Sequence, residues 1–97
     1  MGFIEVDGEI VAIREGTSRI GRSMMADVRF EDPSVSNRHA LLIKADGVVR
    51  VLDDRGQGVH VNGLRITAKK LEDGDVIEIG RHELRFVATV PADLLVG

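Results

Sequence analysis

Apolar and polar residues alternate along this chain in short runs, each closed by a turn signal, with the period of a strand. Phe3-Ile4-Glu5-Val6 and Ile10-Val11-Ala12-Ile13 flank Asp7-Gly8, a pair suited to a type I′ hairpin turn. Thr17-Ser18-Arg19-Ile20 and Val28-Arg29-Phe30 read as two further strands, with Ser23-Met24-Met25-Ala26 as a loop between them. Ala40-Leu41-Leu42-Ile43 is an apolar run of strand length, and Asp46-Gly47 turns into Val48-Val49-Arg50-Val51-Leu52. Val59-His60-Val61 alternates and meets Asn62-Gly63, a third turn pair. Asp73-Gly74 precedes Val76-Ile77-Glu78-Ile79, and the run from His82 to Val90 puts Leu84, Phe86 and Ala88 on one face.

Pro33 sits in a polar stretch over 31–38, and 53–58 is a second polar loop containing glycine. No stretch shows a helical period with both caps. Ile66 to Leu71 is the one ambiguous segment and is too short to stand as a helix. About ten to eleven short, mostly antiparallel strands at close spacing predict an all-β sandwich or barrel. Pro91 closes the last strand, so residues 1–90 are expected to form one domain. Residues 91–97, with the apolar Leu94-Leu95-Val96, are left as a tail or the start of a linker.

Composition narrows the function more than the fold. Of 97 residues 43% are hydrophobic and 30% charged, as in an ordinary soluble domain. Three Phe with no Trp or Tyr make the core aliphatic and leave no platform for stacking bases. Thirteen Lys and Arg against sixteen Asp and Glu give a net charge of −3, without the excess of base that a nucleic-acid partner requires. With no cysteine there is no disulfide, thiolate metal site or thiol nucleophile. No apolar run approaches the ~18 residues of a membrane span. Glu5 stands where a signal peptide would carry basic residues. The expectation is a soluble, cytoplasmic chain with neither membrane nor nucleic acid as partner.

Three loops hold the chemistry. The first opens with Gly21-Arg22-Ser23, the second holds Ser34, Ser36, Asn37, Arg38 and His39, and the third is Asp53-Asp54-Arg55-Gly56-Gln57-Gly58. Loops at one end of a sandwich gather in space. Arginine forks and short serine hydroxyls brought together there suit a phosphate group. His39, His60 and His82 match no metal-ligand spacing, so no metal or cofactor is expected. A hydrolase built from Ser36, His39 and Asp53 lacks the Gly-x-Ser-x-Gly elbow, so no enzyme activity is expected. Met24 and Met25 suit either an adaptable apolar lip for a peptide or a cover on the sandwich end.

Ile20-Gly21-Arg22, Asp27-Val28, Ser36-Asn37-Arg38-His39-Ala40, Asn62-Gly63 and Leu71-Glu72-Asp73-Gly74-Asp75-Val76-Ile77-Glu78-Ile79-Gly80 follow one another in order. Together these blocks resemble the forkhead-associated (FHA) domain, over roughly residues 8 to 88. The resemblance implies a two-sheet sandwich that binds phosphothreonine peptides through loops at one end, in phosphorylation-dependent signalling. It implies that Arg22 and Ser36 hold the phosphate oxygens, with Arg38 in the same recognition loop. It further implies support of the site by Gly21, by His39 bracing the loops, and by Asn62 and Gly63.

The third loop departs from the family pattern. Gln57 stands for an asparagine that grips the peptide backbone, Gly56 and Val59 replace threonines, and Arg55 offers a cation in return. That departure keeps open a second expectation, a scaffold domain whose partner binds without phosphate. In either case the partner is a protein, and further domains of a longer chain are expected beside this one.

Overall fold

The computed structural model describes residues 2–88, which fold into eleven strands. They are β1 (Phe3–Val6), β2 (Glu9–Ala12), β3 (Gly16–Gly21), β4 (Val28–Arg29), β5 (Ala40–Ala45) and β6 (Val48–Asp53). After these come β7 (Val59–Val61), β8 (Leu64–Ile66), β9 (Ala68–Lys70), β10 (Val76–Ile79) and β11 (His82–Val87). One sheet runs β2-β1-β11-β10-β7-β8 and the other β4-β3-β5-β6-β9. All pairings are antiparallel except β3 with β4. No helix among the described residues is long and apolar enough to cross a membrane. The expected boundary at residue 90 and the tail over 91–97 lie outside the described residues.

In β3, β5, β6, β7, β10 and β11 the alternation read from the sequence is the alternation of burial, whereas β2 is exposed throughout. Leu42, Val51, Val59, Val61, Ile77, Ile79 and Leu84 are at most 1% exposed and fill the space between the sheets. Each such side chain contributes about 1.5–3 kcal/mol by leaving water, so the aliphatic core holds the sandwich without a disulfide. Three hairpins turn at Asp7-Gly8, Asp46-Gly47 and Asn62-Gly63, and φ is positive at both residues of each pair. Asp and Asn tolerate that conformation and glycine adopts it freely, as a type I′ turn requires.

Ile66 to Leu71 proves to be the crossing point between sheets. Ile66 pairs with Val59 in one sheet, while Ala68 pairs with Leu52 in the other. Thr67 lies between them, and its carbonyl accepts the Asp53 N–H at 2.9 Å. A strand of three residues on each side of a crossing has no period long enough to read, which is why this segment was ambiguous.

The registers bring one set of loops together. Ile20 pairs with Ala40 and Ala40 with Asp53, so β3 ends, β5 begins and β6 ends at one edge of their sheet. In the facing sheet Ile79 pairs with both Val59 and His82, placing the start of β7 and the β10–β11 turn at that end too.

Candidate functional site

Gly21 makes the first contact between loops. The Arg22 N–H donates to the Ser36 carbonyl at 2.9 Å and the Ser23 N–H to the Asn37 carbonyl at 3.2 Å. Two backbones this close leave no room for a side chain: a Cβ on Gly21 would lie 2.2 Å from the Asn37 oxygen. The glycine therefore serves close approach, and its φ is not in the left-handed region.

Loop two, over 30–39, is fastened from beneath and at both ends. Val35 is fully buried, so its neighbours Ser34 and Ser36 are carried to the surface as polar flanks of a core anchor. His39 is 3% exposed, and its Nδ1 accepts the Ser36 N–H at 3.0 Å. That leaves the ring proton on Nε2, which donates to the Gly58 carbonyl at 2.9 Å. One imidazole thus ties loop two to loop three through backbone atoms on both sides.

The other end is tied by Asp32. It accepts the Ser34 N–H at 2.8 Å and meets His82 Nε2 at 2.9 Å, and the His82 ring stacks on Phe30 at 4.3 Å. The Ser34 N–H, then the Ser34 hydroxyl, His82 and Arg81, hold the Asp32 carboxyl below its ordinary value against the opposing pull of burial.

Loop three is shaped by Asp53, whose carboxylate accepts the Gln57 N–H at 2.8 Å and the Gly58 N–H at 3.0 Å. In the sequence Asp53 stands at the head of loop three and in the Ser36, His39, Asp53 set. Its actual signal was an Asp followed within five residues by two glycines, the pattern of a carboxylate-closed loop. With the loop so held, the Ser36 hydroxyl donates to Gln57 Oε1 at 2.7 Å. The opposite amide orientation would set two carbonyl oxygens against each other at Arg55, whose carbonyl now faces Gln57 Nε2 at 3.5 Å.

The structure therefore brings together the backbone of Arg22, Ser36, His39 and Gln57, with Arg55 two residues from Gln57 on an exposed loop at φ 69°. The Arg22 and Arg55 side chains take part in none of the ion pairs among the described residues. Arg38 is different, because its Nε is held by Asp54 at 3.3 Å. Asn62 and Gly63 are not at the site at all. They turn β7 into β8 at the far end of β7 from loop three, where Asn62 Nδ2 donates to Asp75 at 2.9 Å and its Oδ1 accepts the Val76 N–H at 3.0 Å.

Asp75, 8% exposed, is the hub of that far end. It also takes Lys69 Nζ at 2.9 Å and the Glu72 N–H at 2.8 Å. Burial pushes its carboxyl up, but Lys69, the Glu72 N–H and Asn62 together outweigh this and hold it below the ordinary value.

The geometry also bears on catalysis. Ser36 meets His39 through its N–H and not its hydroxyl, and Asp53 is spent on two backbone amides. No proton relay runs from Ser36 through His39 to Asp53. What three loops locked to one another offer an anion is a serine hydroxyl, an amide side chain and two arginines, Arg22 and Arg55, that are in no ion pair among the described residues, which suits a charged oxygen group.

Comparison with known proteins places these loops in context. The FHA domain family model matches residues 18–80. The FHA domain-containing protein FhaA of Mycobacterium tuberculosis is 40% identical over 79 residues, covering 79% of this chain and 15% of FhaA. The chain thus spans a small part of that relative's length. Among solved structures, an FHA domain analysed for phosphothreonine-dependent interactions superposes with a TM-score of 0.84 at 31% identity, over 93% of this chain and 97% of that one. EmbR of Mycobacterium tuberculosis, in complex with a low-affinity phosphopeptide, gives a TM-score of 0.86 at 30% identity, over 93% of this chain and 25% of EmbR.

Proposed function

The chain belongs to the FHA domain family, and on that premise we propose that it recognises phosphothreonine segments of partner proteins, with Arg22 and Ser36 as the phosphate ligands. Its function is phosphorylation-dependent protein–protein interaction. The observation that carries this reading is the locked approach of Gly21-Arg22 to Ser36-Asn37, which holds the arginine and the serine on adjoining backbones. Arg55 adds charge from loop three, and Gln57 reaches for the peptide backbone once Ser36 has turned to the phosphate.

A phosphate carries about −1.5 to −2 charges at neutral pH. Each hydrogen bond to it adds about 1.5–3 kcal/mol, so a few of them approach the roughly 8 kcal/mol of micromolar binding. The module is non-catalytic and cytoplasmic, and works as one domain of a longer chain, with residues 1–90 as the domain and 91–97 as a tail or the start of a linker. Calorimetric titration with a phosphothreonine peptide library, beside Arg22→Ala, tests it. Binding that is lost with Arg22 or on dephosphorylation supports the reading, and the absence of any phosphopeptide ligand overturns it.

The engaged Ser36 hydroxyl favours a second reading, a scaffold domain whose partner binds without phosphate. Its signature is a partner whose affinity survives both phosphatase treatment and Ser36→Ala.

A further inference from the structure

The two lateral edges of the sandwich are unlike. On one side the chain itself passes from β8 to β9 at Thr67 and joins the sheets. On the other side β2 ends one sheet and β4 the other, and a groove runs between them. It consists of two cavities of about 250 and 330 Å³ that share Val11, Asp27 and Val28 as walls. Core residues floor it, Ile4 and Leu42 under the first and Phe30 under the second.

The strand that borders this groove is open. Ile10 and Val11 of β2 are 42% and 40% exposed. The Ile13 N–H donates to the Gly2 carbonyl at 2.9 Å, so in this antiparallel ladder the backbone groups of Val11 and Glu9 also face β1. Those of Ile10 and Ala12 point the other way, where no strand follows among the described residues. Edge strands are commonly protected by lysine, proline or a bulge. Glu9-Ile10-Val11-Ala12 has none of these.

Charge decides what this edge accepts. Asp27 is held by Arg14 at 2.6 Å and Arg29 by Glu31, so these charges cancel in pairs. Asp7 and Glu9 line the same groove and stand in no ion pair among the described residues. Glu9 lies opposite Val6, which packs on the core, and both therefore face the groove side of the sheet.

We infer that this edge is a docking site for an extended segment of a partner protein, aliphatic at alternate positions and then basic, which adds to β2 as an antiparallel strand. The inference goes beyond phosphate recognition, since Arg22, Ser36 and Gln57 do not line the groove. The antiparallel direction sets the order of side chains. The segment enters beside Ile13 and leaves beside Glu9, so its residues facing Ile13 and Val11 are aliphatic and the one facing Glu9 is lysine or arginine. Val11 makes no backbone bond to the new strand, and at such positions opposing side chains approach most closely. Main-chain bonds at Ile10 and Ala12 supply affinity, and the alternate side chains select the partner.

The test uses the unphosphorylated peptide Gly-Ser-Thr-Val-Thr-Val-Thr-Lys-Ser-Gly and its counterpart with glutamate in place of lysine. Each is titrated at up to millimolar concentration into the unaltered chain, Val11→Lys, and a double variant with Asp7→Asn and Glu9→Lys, followed by amide chemical shifts. The lysine peptide is expected to move the Ile10 and Ala12 amides of the unaltered chain and to bind about fivefold tighter than the glutamate peptide, as attraction at an exposed site gives way to repulsion. The double variant is expected to reverse that preference, which a merely misfolded chain does not do, and Val11→Lys to abolish both complexes. If neither peptide moves these amides in the unaltered chain, or the lysine preference survives the double variant, the inference is overturned. If the unaltered chain sediments as a dimer that Val11→Lys returns to monomer, the edge serves a second copy and the basic partner is overturned.

Discussion

The hydroxyl of Ser36 donates its one proton to Gln57 Oε1 at 2.7 Å, so the two residues expected to serve the ligand serve each other in the free domain. A fully ionised phosphate has no proton to give and must take that hydroxyl from Gln57. Gln57→Ala is therefore expected to strengthen binding of free phosphothreonine at pH 8, a monoester dianion without a P–OH proton, by about two- to tenfold, matching a net hydrogen bond of about 0.5–1.5 kcal/mol. Chemical-shift titration of the two chains with free phosphothreonine measures it. Equal or weaker binding by the variant would show that Ser36 is not held back by Gln57.

The arginines are expected to separate. Arg22 is in no ion pair among the described residues, so Arg22→Ala removes charged contacts to phosphate and lowers phosphopeptide affinity about 10- to 100-fold. Arg38 is committed to Asp54, and its removal is expected to cost less than about fivefold, as for an exposed ion pair. Calorimetry on both variants with one peptide ranks them, and a larger loss for Arg38→Ala would reverse the assignment.

Gly21→Ala places a methyl against the Asn37 carbonyl, and the loop must move to admit it. Overpacking of this kind costs about 1–3 kcal/mol, or a fall in Tm of about 4–8 °C per kcal/mol for a domain of this size. Thermal unfolding followed by circular dichroism reads the loss. An unchanged Tm would mean that the approach of loops one and two is not required for folding.

His39→Ala cuts the tie between loops two and three and leaves the Gly58 carbonyl and the Ser36 N–H without partners. A stability loss of about 2–4 kcal/mol in urea is expected from the cavity and the two unpaired groups. Phosphopeptide binding is expected to weaken even at temperatures where the variant is folded, because Ser36 is no longer oriented.

Asp75 and Asp32 make the fold acid-sensitive in a definite direction. Both carboxyls lie below their ordinary value when folded. They contribute stability that is present in full above about pH 4 and is lost as pH falls through their lower folded values. Asp75→Asn keeps the shape but removes the charge facing Lys69. Urea unfolding between pH 2 and 6 is expected to show the advantage of the unaltered chain over this variant shrinking as pH falls. An advantage independent of pH would exclude Asp75 as the titrating group.

Much of this molecule could be read before any coordinates. The period-two pattern located the strands from Phe3 to Phe86 except β8 and β9, and Asp-Gly and Asn-Gly pairs located the three type I′ turns, because both signals are local. The order of the Gly-Arg and Ser-Asn-Arg-His blocks carried the family. Illegible were features that depend on partners distant in sequence. Val35 looked like one apolar residue in a polar loop and is the anchor of that loop. Arg38 looked like a ligand and is engaged by Asp54, sixteen residues away. Asn62 and Gly63 are site support only by what the family resemblance implies, and the strand β7 runs straight and carries them to its other end.

The sequence by itself determined that this is an all-β domain with an aliphatic core, and which loops hold arginine, serine and amide groups. Hydrophobic period and turn chemistry act over two to six residues, so a linear reading captures them. Only the tertiary structure decided which of those groups meet. A hydrogen bond such as Ser36 to Gln57, or the two backbone ties of His39, joins residues up to twenty-one positions apart. Such bonds form only after the sheet registers have set the loops side by side.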